Sequence, residues 1–238
     1  MRVRGTRRAV AAVLAVAAIG LAGTACSQGS DEAPAAMAVK SPERTEAMSA
    51  LPSSVEGPRI VVGQPKAPHT VTVFVDPRCS YCAKFEEAAG TVLADRAAAG
   101  KVRVEYVLAS FLDARTGGTA SARAANALRA AAEAGPGKFA TYQAALFANQ
   151  PSETSKDAYS TDHLLKIADQ VPGLRGAAFD KAVRENTYKD WVASAERAFE
   201  DAGVGGTPTV LVDGTPLAAG NGLYDAHRFA EALRDAGV

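Results

Sequence analysis

The sequence predicts an α/β fold in which an all-helical segment interrupts a sheet. An alanine-rich helical pattern at about residues 79–99 lies between two strand patterns, at 71–75 and 101–108. Strand, helix and strand at this spacing form a right-handed unit with parallel strands. A wholly helical pattern then covers about residues 118–186, and strand residues return at Thr209–Val212. The sheet is therefore predicted to receive strands from both sides of a helical insertion.

The local sequence marks where the first strand and its helix begin and end. Residues 71–75 are β-branched or aromatic, which is typical of a buried central strand. Pro77 lies in the following turn, where a helix start tolerates proline, and Gly100 ends the helix. Residues 101–108 alternate charged and apolar side chains before becoming wholly apolar. The helix is thus predicted to start directly after a central strand.

Glycine and proline divide the rest of the helical pattern into separate helices. These are predicted at residues 119–134, 138–149, 160–170, 177–185 and 187–202. Thr187 and Asp190 have the spacing of a capping pair at the start of the last of them.

The C-terminal part of the chain returns to strand patterns. After Thr209–Val212, Asp213 and Gly214 predict a two-residue hairpin turn. Residues 215–217 are then a short edge strand, where proline is acceptable, and residues 225–235 form the last predicted helix.

The N-terminus has the parts of an export signal. Four arginines lie in residues 1–8, an uncharged apolar run covers residues 9–25, and small residues precede Cys26. These features are typical of a cleaved secretory signal, so residues 1–25 are predicted to be a signal peptide. An uncleaved N-terminal anchor helix is the alternative, because the run reaches the lower limit of about 17 residues for a membrane span.

Cys26 is the predicted site of lipid attachment. Gly23-Thr24-Ala25-Cys26 resembles the lipobox of bacterial lipoproteins, whose cysteine is acylated and becomes the first residue of the mature chain. Lipidation also explains a cysteine without a partner once the other two pair. The alternative is an ordinary signal cut that removes Cys26 and releases a secreted protein. Residues 26–58 contain four prolines and no apolar periodicity, which predicts a flexible, lipid-anchored tether.

Cys79 and Cys82 form a Cys-x-x-Cys motif at the junction of the first strand and its helix. A cysteine at a helix start has a lowered pKa, because unpaired backbone N–H groups and the helix dipole favour an anion. The placement is typical of a thiol–disulfide redox site. Two alternatives remain. A zinc site needs two further ligands. A structural disulfide gains little chain entropy from so short a loop.

Three residues near the motif are candidates for tuning the sulfurs. Ser80 and Tyr81 lie between the cysteines, where a hydroxyl and a ring can change thiolate stability. Tyr81 can equally be an exposed aromatic residue on the substrate face. Asp76 lies three residues before Cys79 and is predicted to cap the helix or to raise the pKa of that cysteine.

Composition excludes one class of partner. The 26 basic and 26 acidic residues give no formal net charge, and no basic patch with interleaved aromatic residues indicates nucleic acid binding. Thiol exchange needs no cofactor, so neither a cofactor nor a resident metal is expected. The featureless tether offers no dimerisation domain, which favours a monomer.

Three further motifs occur in a fixed order along the chain. Residues 63–68 read Gly-Gln-Pro-Lys-Ala-Pro ahead of the strand, residues 137–139 and 146–151 flank a helix of the insertion, and Gly206-Thr207-Pro208-Thr209 precedes an apolar strand. Together with the Cys-x-x-Cys motif, they resemble the DsbA-like family of exported thiol–disulfide oxidoreductases. The resemblance implies a thioredoxin fold with a helical insertion over residues 59–238.

The resemblance also implies roles for individual residues. Substrates would attack Cys79 and remain bound to it, while Cys82 would resolve the mixed disulfide. A cis bond before Pro208 would expose backbone groups of Thr207 to an extended substrate. Many thioredoxin-fold enzymes keep a buried carboxylate six residues before the first cysteine, but this chain has Val73 there. Glu105 or water is then the candidate proton acceptor for Cys82.

The sequence therefore predicts an extracytoplasmic enzyme that oxidises cysteine pairs in exported proteins. A disulfide reductase or isomerase of the same fold is the alternative, because Thr207 before the proline resembles isomerases as much as oxidases. A soft-metal chaperone is a second alternative, with Met37, Met48 or His69 as an extra ligand. Exported protein thiols and an unidentified membrane redox partner are the expected partners.

Overall fold

The computed structural model describes residues 46–155 and 158–238 of the 238-residue chain. The predicted signal peptide, Cys26 and the first part of the predicted tether lie outside the described residues. Within the described ranges, no helix combines the length and apolar character needed to cross a membrane.

One mixed sheet organises the described part of the chain. Its spatial order is β1-β2-β4-β3-β5-β6, in which β3 and β4 are parallel and the other neighbours are antiparallel. The strands are β1 (Ser53–Glu56), β2 (Arg59–Gly63), β3 (His69–Val75), β4 (Val102–Leu108), β5 (Thr209–Val212) and β6 (Thr215–Pro216). The predicted α/β fold, with a parallel pair at its centre, is confirmed.

Helices cover both faces of this sheet. α2 (Ser80–Ala98) connects β3 to β4 and packs with Val73 of β3 in the main core. The next residue, Phe74, points to the other face, where its ring lies 6.3 Å from that of Phe199 on α8 (Lys189–Asp201). Alternate residues of a strand point to opposite faces, so β3 is buried on both sides and is fixed in position.

The insertion between β4 and β5 is helical, as predicted. It contains α3 (Leu112–Thr116), α4 (Ala120–Glu133), α5 (Lys138–Ala148), α6 (Thr161–Ala168), α7 (Ala177–Glu185) and α8. The predicted limits of about 118–186 enclose α4 to α7, and the structure adds α3 before them and α8 after them. A 3₁₀ helix (Gly220–Tyr224) and α9 (Ala226–Asp235) close the chain.

The predicted flexible tether is wrong for its last residues. α1 (Glu46–Ala50) and β1 are ordered, and Met48 and Leu51 are buried in the main core. β1 pairs with β2, and α1 packs against α2 and α5. The folded part therefore begins by residue 46, not residue 59. α1 is too short to show a helical period, which hid it in the sequence.

The predicted capping pair is also wrong. α8 starts at Lys189, with Tyr188 rather than Thr187 at its N-cap, and no side chain caps it. The preceding Asn186 has a left-handed conformation, and the Tyr188 N–H donates to Asn126 of α4 at 2.7 Å. A contact with a distant helix therefore replaces the local cap.

In contrast, the predicted Asp213-Gly214 turn is present, with positive φ at both residues.

Candidate active site

The turn after β3 delivers two cysteines to the start of α2. The Cys79 N–H donates to the Asp76 carbonyl at 2.9 Å, and Cys79 is the N-cap residue of the helix. Cys82 follows one turn later, on the buried side of the helix. The exposed fraction is 7% for Cys79 and 0% for Cys82, so only the first sulfur meets solvent. Neither cysteine is in a disulfide.

Cys79 is the more acidic thiol of the two. A hydrogen bond from the Cys82 thiol is the largest cause that lowers the pKa of Cys79, and Thr207 with the backbone N–H groups of Cys82 and Tyr81 adds to it. These contributions exceed the cost of burial and bring the pKa to about 6. Cys79 is therefore a thiolate at neutral pH, which is the nucleophilic form.

Cys82 has the opposite behaviour. Burial raises its pKa well above the ordinary value, and the charge on Cys79 raises it further. At neutral pH the pair therefore holds one thiolate and one proton, with the proton on the inner sulfur. In this reduced form the Cys79 thiolate can attack a disulfide, and Cys82 can then resolve the mixed disulfide; in the oxidised form a substrate thiolate attacks the Cys79–Cys82 disulfide at Cys79.

The loop before β5 reaches the two sulfurs from the other side of the site. The Thr207-Pro208 bond is cis, which confirms that expectation. In its protonated form, the Cys79 Sγ donates to the Thr207 carbonyl at 3.4 Å. The buried Thr207 hydroxyl has no nitrogen or oxygen partner, but it lowers the pKa of both cysteines. The structure thus brings Thr207 and Pro208 together with Cys79 and Cys82, as the resemblance implied.

The two residues between the cysteines point away from the sulfurs. The backbone N–H of Ser80 donates to the Glu153 carboxylate at 3.0 Å, and the Ser80 hydroxyl also stabilises that carboxylate. The Tyr81 side chain is 54% exposed, and its ring centroid lies 5.8 Å from that of Tyr224. Tyr81 acts on Cys79 through its backbone N–H. Its ring fits the second of its predicted roles, an exposed aromatic on the substrate face.

Asp76 does not cap α2, so that expectation is wrong. Its carboxyl group is fully buried and accepts hydrogen bonds from the backbone N–H groups of Arg78 at 2.9 Å and Leu112 at 3.1 Å. Burial raises the pKa of Asp76 to about 7. The carboxyl group ties the active-site turn to α3, and the backbone N–H of Asp76 lowers the pKa of Cys82.

Glu105 is an unsuitable proton acceptor. It lies on β4 opposite Thr72 and forms ion pairs with Arg103 at 2.6 Å and Arg59 at 3.5 Å.

Sequence reasoning missed a second buried acid, Glu86, which lies one helical turn after Cys82. Burial raises the pKa of Glu86 to about 7. Its position four residues after Cys82 on the same helix was the signal that could have indicated it.

Sequence reasoning also missed the contacts that the insertion makes with the turn. Arg78 is fully buried, and its guanidinium forms an ion pair with Asp113 at 3.1 Å. It also donates to the carbonyls of Glu153 at 3.1 Å and Ser155 at 3.0 Å. The Gln150 side chain donates to the carbonyl of Cys79 at 2.9 Å. An arginine directly before the motif was the available signal.

The extra ligands expected for a soft metal lie elsewhere. Met48 is buried in the core, and Met37 lies outside the described residues. His69 bonds Asp213 at 2.8 Å, at the start of β3, and the strand carries it roughly 20 Å from the motif. In the part of the chain that the structure describes, no group of three His, Cys, Asp or Glu side chains is placed to hold a metal ion.

Comparisons with known proteins agree with this geometry. A family model described as thioredoxin matches residues 55–231. The chain is 27% identical to a reduced disulfide bond oxidoreductase (DsbG) from Mycobacterium tuberculosis, with a TM-score of 0.55 and coverage of 66% of this chain and 76% of that one. It is 26% identical to oxidised DsbA from the same organism, with a TM-score of 0.54 and coverage of 70% and 84%.

A third structure supports the fold alone. BdbD from Bacillus subtilis is 20% identical, with a TM-score of 0.62 and coverage of 79% of this chain and 97% of that one. Comparison with curated proteins gives no match. The predicted thioredoxin-like fold with a helical insertion is confirmed.

Proposed function

Since the chain belongs to the thioredoxin family and is a thiol–disulfide oxidoreductase of the DsbA type, we propose that it oxidises cysteine pairs in exported proteins. Cys79 is the residue that substrates attack, and Cys82 is the resolving thiol. Oxidation of a substrate dithiol transfers two electrons to the Cys79–Cys82 disulfide and leaves the enzyme reduced.

One observation carries the direction of this reaction. Hydrogen bonds to Cys79 bring its pKa to about 6, so they stabilise the reduced enzyme as a thiolate. The disulfide has no charge to stabilise. A site that stabilises its own reduced form is an oxidant, because reduction of its disulfide is then more favourable. Redox equilibrium with glutathione tests this proposal, and we expect a disulfide more oxidising than that of thioredoxin.

A reductase or isomerase of the same fold is the second candidate. Thr207 before the cis proline supports it, because a threonine at this position resembles isomerases as much as oxidases. The same redox equilibrium separates the two candidates, since a reductase has a potential at or below that of thioredoxin.

The substrate face is formed by Tyr81, Tyr224 and the backbone of Thr207. The two tyrosine rings are in contact beside the site, and Lys84 lies 4.8 Å from the Tyr81 ring centroid. Exposed aromatic rings bind apolar side chains of unfolded proteins without demanding one sequence. The substrates we propose are therefore partly folded or unfolded exported proteins, and an unidentified membrane protein reoxidises the enzyme.

We propose that the enzyme is a monomer held on the outer face of the cell membrane by lipid on Cys26. The export signal at residues 1–25 and the lipobox-like residues before Cys26 support this location. A tether of about twenty residues up to α1 lets the domain reach substrates tens of ångströms away.

Substitution of Cys26 should release the protein from membranes. We expect the wild type in the membrane fraction, whereas Cys26→Ala is either soluble or retains its signal peptide. Membrane fractionation and mass spectrometry of the mature N-terminus measure this, with Ser27→Ala as the matched control. An unmodified N-terminus beyond Cys26 in the wild type would exclude the lipid anchor.

A further inference from the structure

A carboxylate from the helical insertion lies at the start of the active-site helix. Glu153, between α5 and α6, accepts a hydrogen bond from the Ser80 N–H at 3.0 Å. Ser80 is the first residue of α2 and directly follows Cys79. Glu153 is half-buried, and its hydrogen bonds to Ser80 lower its pKa, so it is charged at neutral pH.

The position of Glu153 is fixed by several bonds around it. The buried Arg78 guanidinium donates to the backbone carbonyls of Glu153 and Ser155. The Gln150 side chain donates to the carbonyls of Pro77 and Cys79, both at 2.9 Å. These contacts hold the segment 150–155 against the active-site turn, so the carboxylate is a built part of the site.

The first N–H groups of α2 are divided between two anions. The N–H groups of Tyr81 and Cys82 stabilise the Cys79 thiolate. The Ser80 N–H is bound to Glu153. Thiolate and carboxylate therefore share one helix N-terminus. The helix dipole stabilises each anion, and the negative charge of each destabilises the other.

We propose that Glu153 is a positioning residue that lowers the reduction potential of the Cys79–Cys82 pair. The enzyme is then a weaker oxidant than the N-terminus of α2 alone would make it. This inference rests on the proposed function, because it concerns the exchange that Cys79 performs.

The effect acts on one redox state only. When the enzyme disulfide is reduced by glutathione, two glutathione thiols become one disulfide. The S–S bond of the enzyme breaks to give a Cys79 thiolate and a Cys82 thiol, and one proton is released. The carboxylate repels the thiolate, but the neutral disulfide is unaffected. Glu153 thus raises the free energy of the reduced enzyme and makes reduction less favourable.

The charged groups around Glu153 make contacts that differ from its own. Arg78 and Arg115 act on the Glu153 carboxylate and keep it ionised. Arg78 is itself paired with Asp113, and the buried Asp76 carboxyl group bonds the backbone N–H groups of Arg78 and Leu112. Among these groups, Glu153 is the one whose carboxylate bonds an N–H of the first turn of α2.

Glu153→Gln tests the inference, because it removes the charge and keeps an oxygen for the Ser80 N–H. We expect the equilibrium constant for oxidation by glutathione to fall about three- to tenfold and the pKa of Cys79 to fall below its wild-type value. Glu153→Ala should change both quantities in the same direction, and Glu153→Asp should stay near wild type. The matched control is Glu200→Gln. Glu200 is exposed on α8, which packs on the face of the sheet opposite to α2.

The two measurements separate a redox role from a structural one. A residue that only holds the loop would change the unfolding temperature and leave the pKa of Cys79 and the glutathione equilibrium unchanged. If Glu153→Gln and Glu153→Ala equal Glu200→Gln in both quantities, or raise the pKa of Cys79, the inference is overturned while the proposed function stands. A wild-type protein that does not exchange with glutathione would overturn both.

Discussion

Cys82→Ser will accumulate mixed disulfides with substrate proteins, whereas Cys79→Ser will capture none. Cys79 is the thiolate at neutral pH and the partly exposed sulfur, so it forms the bond with the substrate. Cys82 is fully buried and protonated, so a substrate cannot reach it. Without Cys82 the mixed disulfide has no resolving thiol and persists.

Non-reducing gels of the two variants, expressed with the full chain in an exporting host, measure the adducts. We expect the adduct level of Cys79→Ser to equal that of the Cys79→Ser/Cys82→Ser double variant. Alkylation of purified Cys82→Ser should also show a midpoint below the ordinary thiol pKa. Equal adduct levels in both single variants would contradict the roles assigned to the two sulfurs.

Arg78→Met will destabilise the domain by about 3–5 kcal/mol, because it breaks a buried ion pair by removing one partner. The Arg78 guanidinium is fully buried and bonds Asp113, and it donates to carbonyls of the segment 150–155. Met fills a similar volume but makes none of these bonds. The free energy of unfolding, measured with urea on the reduced protein, gives the loss.

Arg59→Met is the matched control for that prediction. Arg59 also pairs with a carboxylate, Glu105 at 3.5 Å, but its side chain is 48% exposed. An exposed pair of this kind contributes at most about 1 kcal/mol, so the control should lose little. Equal losses in the two variants would show that the buried network around Arg78 does not hold the insertion to the turn.

The sequence was sufficient for the elements whose signals are local. The apolar strand β3, the alanine-rich α2 and the Asp213-Gly214 turn each carry a pattern in their own residues, and the structure has all three. The cysteine motif was identified in the same way, whereas Thr207-Pro208 was identified from its resemblance to the cis-proline loop of the DsbA-like family. Their approach in space followed from the resemblance and from the parallel unit that places the motif at the end of β3.

The missed features depend on contacts between distant residues. Glu153 is 73 positions from Ser80, and Arg78 reaches Glu153 across 75 positions. No sequence pattern links such pairs. The role of Asp76 was predicted wrongly for a related reason. Its spacing suits a helix cap, but its carboxyl group accepts a hydrogen bond from the backbone N–H of Leu112 in α3. α1 and β1 were missed because they are short and gain their order from β2, α2 and α5.

The redox equilibrium of the purified domain with glutathione tests the central claim most directly. The ratio of reduced to oxidised enzyme is measured over a range of glutathione buffers at pH 7, and the double cysteine variant serves as the blank. We predict a reduction potential well above the roughly −270 mV of thioredoxin and nearer to the roughly −120 mV of DsbA. A potential at or below that of thioredoxin would contradict the account, and the protein would then act as a disulfide reductase.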